Sequence, residues 1–406
     1  FDKDKQDSFQ TLVNKRSKYF TVGVLTIAFL AAAYWWWVAG AAMATKVFAT
    51  VLIITCPCAL ALSAPFTLGN VMRVLSANGF FVKNSNTIEK IAKVDTLVFD
   101  KTGTLTDVGR ESIFYDGDIL NDSDYSVLIS MFQNSSHPLS RAILKGLPNV
   151  QPAELEIFEE KSGNGLRAVI NGMEWKVGSR TWVSAVDKNQ AKGSEVWISK
   201  GGKVIGKFVL KNTYRVLLKN VFEGLKNLGF QFRILSGDSS NEASQLQELA
   251  GENVQMFFKQ TPEEKLVHVQ ELNKKANKTM MLGDGLNDAG ALKAAFVGVA
   301  VSNESLQFTP SSDAIIDGKA INKLDRLLAF CRCSMSLIKI SFVISLAYNL
   351  IGISIAVQGL LTPLIAAIMM PLSSVTVVAF ATLSSRYVAK NLKLYDDVYS
   401  VSTNRG

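Results

Sequence analysis

Charge is scarce in this chain: of 406 residues only 19% are Asp, Glu, Lys or Arg, while 48% are hydrophobic. Soluble domains carry nearer a quarter charged, so the balance argues against an ordinary water-soluble enzyme. Cysteine is scarcer still. The four cysteines fall as two Cys-x-Cys pairs, Cys56/Cys58 and Cys331/Cys333, too few for a disulfide framework in a chain of this length. Two histidines argue against a His-rich metal site. Disorder is excluded by the apolar content. The length suggests two to four domains, and the net charge of +8 leaves nucleic acid, an anionic membrane surface or cytoplasmic loops as partners.

Position along the chain decides among these. Apolar residues concentrate at the two ends, in runs near 20–38, 47–71, 337–361 and 364–381. Each is long enough to approach the roughly 30 Å of bilayer hydrocarbon, and Tyr34, Trp35, Trp36 and Trp37 suit an interfacial belt. Four spans in two hairpins are predicted. Lys15, Arg16 and Lys18 precede the first run, Arg73 and Lys83 follow the second, and Arg386 and Lys390 follow the fourth, while the outer loops hold only Lys46. The positive-inside rule therefore places both termini and the middle in the cytoplasm. Orientation accounts for the surplus charge, and no nucleic-acid partner is expected.

The middle alternates two patterns. VDTLVFD (94–100), FRILSGD (232–238), TMMLGDG (279–285) and FVGVAV (296–301) read as buried strands of a parallel α/β sheet. Asp100, Asp238 and Asp284 would stand at carboxyl ends, where such sheets bind ligands. A helix opens at Pro262, with Thr261 as N-cap and a stripe of Leu266, Val269 and Leu272. From about Phe114 to Leu210 the runs GLRAVI, MEWKVGS, SEVWISK and KVIGKFVLK alternate, with turns at Asn171-Gly172 and Gly201-Gly202. That is an antiparallel sheet inserted into the α/β domain.

The chemistry follows from residue types. Asp100 before Lys101-Thr102-Gly103-Thr104 places a carboxylate among loop N–H groups able to hold phosphate. Asp284 offers a second carboxylate suited to Mg²⁺, which uses few protein ligands plus substrate phosphate. Lys265 and Ser236 are placed to neutralise and hydrogen-bond a transferred phosphoryl group. This describes an aspartyl-phosphate enzyme. In the membrane, Pro57 removes a helix donor between Cys56 and Cys58, and two thiolates at that depth select a soft cation such as Cu(I). Tyr348 and Asn349 lie in the middle of the third run; Met370 and Ser374 share a face in the fourth.

DKTGTLT, the HP of SSHPLS, GNG, SGD, TPEEK and GDGLND, in this order and beside a span carrying CPC, resemble the heavy-metal P-type ATPases of the copper class over about residues 10–390. The resemblance implies that Asp100 accepts the γ-phosphate of ATP beside Lys101 and Thr102. Asp284 and Asp288 serve Mg²⁺ and phosphate, with Asp100 and Thr102 completing the magnesium site. His137, Gly163, Gly165 and Gly178 form the nucleotide pocket, and Cys56, Cys58, Tyr348, Asn349, Met370 and Ser374 carry the transported Cu⁺. Three positions depart from the family pattern: Phe132, Ser136 and Asn212. Related phosphatases of the haloacid-dehalogenase type carry a general acid/base Asp where this chain has Thr102, so its phosphoenzyme should persist.

The expected fold class is an α+β membrane protein: four transmembrane helices, a haloacid-dehalogenase-like phosphorylation domain, and an inserted α+β nucleotide-binding domain. Expected boundaries are a linker at 1–19, a CPC hairpin at 20–75, phosphorylation-domain parts at 76–115 and 212–325, the insert at 116–211, a second hairpin at 326–388 and a tail at 389–406. The resemblance further implies a bacterial inner-membrane location, a cytoplasmic copper chaperone, and an actuator domain with a TGE loop ahead of residue 1. Alternatives are the same pump for Ag(I), zinc or cadmium, or a membrane-tethered phosphatase. Cys331 and Cys333 are read as a reduced pair in a packing role rather than a metal relay.

Overall fold

The computed structural model describes residues 9–55, 58–184, 194–238, 243–251, 254–285, 287–302 and 312–394. The chain divides into two units: 1–99 with 219–234 and 261–406, and 100–218 with 235–260. The first unit opens with helices α1 (Phe9–Ala39), α2 (Ala41–Ile54) and α3 (Cys58–Ala77), then β1 (Phe80–Val82), α4 (Ser85–Lys93) and β2 (Thr96–Asp100). The second runs through β3 (Thr106–Gly117), α5 (Asp122–Gln133), α6 (Pro138–Gly146), β4 (Ile157–Lys161), β5 (Gly165–Ile170), β6 (Met173–Gly178), α7 (Arg180–Ser184), β7 (Ser194–Lys200) and β8 (Lys203–Tyr214). There follow α8 (Leu218–Asn227), β9 (Gln231–Leu235), α9 (Ala243–Ala250), β10 (Gln255–Phe257), α10 (Pro262–Lys274), β11 (Thr279–Gly283), α11 (Ala289–Ala294), β12 (Val297–Ser302), β13 (Ala314–Asp317), α12 (Leu324–Val357) and α13 (Pro363–Asn391).

Among the described residues three helices are long and apolar enough to cross a membrane, within Val22–Ala39, Gly318–Val357 and Pro363–Asn391. The second apolar run, expected as one span, divides into α2 and α3. Proline at 57 has no N–H with which to continue a helical ladder. Small residues let the helices approach: Ala28, Ala31, Ala356 and Ala366 are buried with Val47, Val51 and Ile54, and Gly352 lies against Ile54. Trp37, Leu350 and Leu364 face outward, a large apolar surface that suits lipid.

Helix α12 begins at Leu324, well before the apolar run near Leu337. Asp325, Arg326 and Arg332 lower the local hydropathy without breaking the helix, because Leu327, Leu328 and Phe330 still bury a continuous stripe. Cys331 and Cys333 therefore lie inside this helix, one buried and one exposed. Residues two apart on a helix do not share a face, so the two thiols cannot hold one ion between them.

In the first unit the strand order is β1-β13-β12-β11-β2-β9. β11 pairs in parallel with both β12 and β2, and β12 in parallel with β13. β2 and β11 are buried at every position, which is why they read as unbroken apolar runs. The short β1, antiparallel to β13, has no such signal. α10 begins as expected, with a reciprocal capping box between Thr261 and Glu264. Its buried stripe is Lys265, Val269 and Leu272, so a lysine occupies the inner face where Leu266 was expected.

The second unit holds a six-stranded sheet ordered β3-β8-β7-β6-β5-β4, antiparallel at each pairing. Asn171-Gly172 and Gly201-Gly202 close its hairpins with positive φ at both central residues. Leu128, Phe132 and Ile143 from α5 and α6 pack with Trp175 and Phe208 of the sheet.

Candidate functional site

Asp100 ends β2 and is only 4% exposed. The chain then turns tightly through Lys101–Leu105, with Gly103 at φ 73° and its N–H donating to Thr106 Oγ1 at 3.0 Å. Asp238 organises the loop from the far side: Lys101 Nζ lies 2.7 Å from its Oδ2, and Thr102 Oγ1 donates to the same oxygen at 3.1 Å. Asp238 is itself fixed, its N–H donating to Ser236 Oγ at 3.1 Å. Ser236 is anchored in turn by backbone bonds to Phe257 and Gln260.

A second clamp comes from Arg215. It is 7% exposed, donates from Nε to Thr104 O at 2.7 Å and from Nη2 to Gly103 O at 3.1 Å, and lies 3.6 Å from Asp107. Sequence reasoning put Asp238 at a strand end without a role and did not single out Arg215. The available signal was the Asp of the SGD run itself.

In the first unit, Leu282 stands opposite Phe99, the residue before Asp100. Past β11, Asn287 donates to both carboxylate oxygens of half-buried Asp284 at 3.3 Å. Lys265, 6% exposed, donates to Asp288 Oδ1 at 2.9 Å; Asp288 is 1% exposed. At this burial each group depends on the other, since removing one partner leaves the second uncompensated. Among the described residues no three His, Cys, Asp or Glu side chains form a metal cage. Asp284 in the first unit and Asp100 in the second each offer hard carboxylate oxygens, the donor type Mg²⁺ takes.

In the second unit Gly165 of β5 stands opposite Gly178 of β6. A Cβ on Gly165 would collide with the Val177 carbonyl, and one on Gly178 with the Asn164 carbonyl. Both glycines are thus required by close strand approach. Gly163, at φ 76°, has open space beside it. His137 is the N-cap of α6, its Nδ1 accepting from Leu139 N at 3.2 Å, while its own N–H donates to Ser135 Oγ at 3.2 Å. The residue is exposed.

In the membrane region Cys56 and Pro57 lie outside the described residues, and Cys58 opens α3. Helix α3 packs against both α12 and α13. Asn349 is 5% exposed, and half-buried Tyr348 donates its hydroxyl to Met369 O at 2.9 Å. Met370 is half-buried, and its carbonyl accepts from Ser373 Oγ at 2.8 Å and from Ser374 Oγ at 3.5 Å. Ser373, not Ser374, is the buried serine of the pair. Ser345, one turn before Asn349, is also buried, and its Oγ has no hydrogen-bond partner among the described residues.

A family model for haloacid dehalogenase-like hydrolases matches residues 94–295. The nitrogen fixation protein FixI of Rhizobium leguminosarum bv. viciae is 32% identical over 83% of this chain and 44% of its own length. The copper-exporting P-type ATPase of Bacillus subtilis (strain 168) is 30% identical over 88% of this chain and 46% of its own length. The chain spans about half the length of the curated relatives it matches. Among solved structures, a zinc-transporting PIB-type ATPase superposes with a TM-score of 0.79 at 23% identity, covering 95% of this chain and 65% of that one, a likeness of fold. The catalytic domain of the CPx-ATPase CopB-B is 32% identical with a TM-score of 0.51, and the match covers 63% of this chain and 97% of that domain. A buried aspartate at a strand end, a loop pinned by lysine and aspartate, and these relatives agree: the chain belongs to the heavy-metal P-type ATPases.

Proposed function

We propose that this chain is the catalytic and transport portion of a pump that uses ATP to export Cu(I) through an aspartyl phosphate at Asp100. The observation that carries the reading is the double clamp on the loop after Asp100, by Asp238 on Lys101 and Thr102 and by Arg215 on Gly103 and Thr104. A carboxylate oxygen of Asp100 attacks the γ-phosphorus of ATP, the bond to the bridging oxygen breaks, and ADP leaves. Lys101 and Lys265 stabilise the charge that develops on the phosphoryl oxygens, and Ser236 hydrogen-bonds it. Asp100 and Asp284 would hold Mg²⁺, which supplies charge neutralisation at the transferred group. Thr102 supplies no base to the phosphoenzyme, so hydrolysis awaits a group from elsewhere in the whole protein. His137, Gly163, Gly165 and Gly178 are the proposed nucleotide contacts.

Cu(I) is the proposed cargo because Cys56 and Cys58 are soft donors, joined by Met370 and supported by Tyr348, Asn349 and Ser374. Helices long and apolar enough to cross a bilayer support a membrane location, proposed as a bacterial inner membrane with the catalytic units cytoplasmic and a copper chaperone as donor. Acid-stable, hydroxylamine-labile labelling from γ-labelled ATP should vanish in Asp100→Asn. It should be stimulated by Cu(I), lose that stimulation in Cys56→Ser/Cys58→Ser, and ignore Zn²⁺. Stimulation by Zn²⁺ alone would overturn the copper assignment.

A further inference from the structure

Arg332 lies in the charged, cytoplasmic part of α12 and is half-buried. Its Nη1 donates to Leu228 O at 2.6 Å and its Nη2 to Val94 O at 2.8 Å, while the guanidinium sits 3.8 Å from the centroid of the Phe230 ring. Val94 ends α4 just before β2; Leu228 follows α8; Phe230 leads into β9. The same corner is knotted by Asp95. Gln231 N donates to Asp95 O at 3.0 Å, Asp95 N to Lys278 O at 3.1 Å, and Lys278 N to the Asp95 carboxylate at 3.1 Å.

Arg332 thus grips the amino ends of two strands whose carboxyl ends lead into the chemistry, β2 into Asp100 and β9 into Ser236, and Asp95 ties the amino end of β11, which leads to Asp284, to the same corner. β2 is five residues long and fully buried, so it offers roughly 17 Å of nearly inextensible connection. In the other direction α12 continues unbroken from Arg332 to Tyr348 and Asn349, about 24 Å at helical rise. The same helix meets α8 closely at a second point, since a Cβ on Gly224 would collide with Asp325. A planar guanidinium can serve two carbonyls and a ring face at once, whereas an ammonium cannot.

We propose that Arg332 is a positioning residue that couples the membrane helix carrying Tyr348 and Asn349 to the strand carrying Asp100, so that metal occupancy sets the rate of phosphorylation. This rests on the pump reading above. The test uses the full chain in lipid nanodiscs, with Cu(I) and Zn²⁺ supplied in parallel. Labelling from γ-labelled ATP is measured with and without each metal, alongside equilibrium metal content. Arg332→Met should still label and still bind metal, but its metal stimulation should fall at least about fivefold, the lower range of site-to-site coupling. Arg332→Lys and Phe230→Leu should fall between that variant and the unaltered chain.

Unchanged stimulation in Arg332→Met overturns the proposal, as does a parallel loss of labelling and metal content with the ratio preserved. Should Arg332→Met not fold, Arg332→Lys and Phe230→Leu decide, and an unaltered ratio in both overturns it. Labelling that survives Asp100→Asn defeats the pump reading itself, which separates the two failures.

Discussion

Around the strand ends outside the apolar helices, polar side chains reach for one another: Lys101 for Asp238, Lys265 for Asp288, Arg215 for the carbonyls of Gly103 and Thr104. In the membrane helices they turn back on their own backbone. Ser334, Ser341, Thr376 and Ser385 each donate to the carbonyl four residues earlier, to Phe330, Leu337, Leu372 and Ala381. The first arrangement holds charged groups in one geometry before substrate arrives, which is what electrostatic stabilisation of a transferred phosphoryl group requires. The second satisfies each hydroxyl locally and makes no demand on the neighbouring helix. These four hydroxyls do not tie one helix to the next, and the residues outside that pattern stand out: Tyr348 and Asn70, which bond across to Met369 O and Thr382 of α13, and buried Asn349 and Ser345.

The contrast predicts a graded response to truncation. Lys265→Met leaves Asp288 as a buried carboxylate without its ammonium, and removing one partner of a buried pair costs about 3–5 kcal/mol. Denaturant unfolding followed by tryptophan fluorescence should show that loss, and an unchanged midpoint would erase the distinction between the two regions. Arg215→Met removes two charge-assisted bonds to loop carbonyls and should cost about 2–3 kcal/mol. It should also slow labelling of Asp100 at saturating ATP while leaving metal content intact; equal rates would show that the loop holds its shape unaided. Ser341→Ala, by contrast, deletes a bond made within one helix turn and should stay within about 0.5 kcal/mol. A larger effect measured by the same unfolding would reveal a tertiary partner for that hydroxyl and sink the membrane half of the comparison.

Much of the fold was legible because its elements carry local signatures. β2 and β11 are apolar at nearly every position, since both faces are covered, and Thr261-Pro262-Glu263-Glu264 spells a helix start that the capping box confirms. The alternating insert strands and their glycine turns were readable for the same reason. What escaped depended on partners distant in sequence. β1 and β13 are too short to show a period, and they exist because Phe80 and Ile316 pair across more than half the chain. The charged extension of α12 was hidden because charged residues dilute hydropathy while leaving a helical stripe intact.

The motif residues were visible in order, but their mutual arrangement was not. Residue type alone led to the expectation of a phosphate-accepting aspartate, soft intramembrane donors and an orientation in the bilayer, because carboxylate, thiolate and lysine chemistry is intrinsic to the side chain. Tertiary structure alone decided that Asp238 clamps the loop, that His137 caps a helix, that Cys331 and Cys333 cannot share an ion, and that Arg332 ties α12 to the amino end of β2. Hydrogen bonds and ring contacts act over about 3–4 Å, and only the folded chain brings residues hundreds of positions apart within that reach.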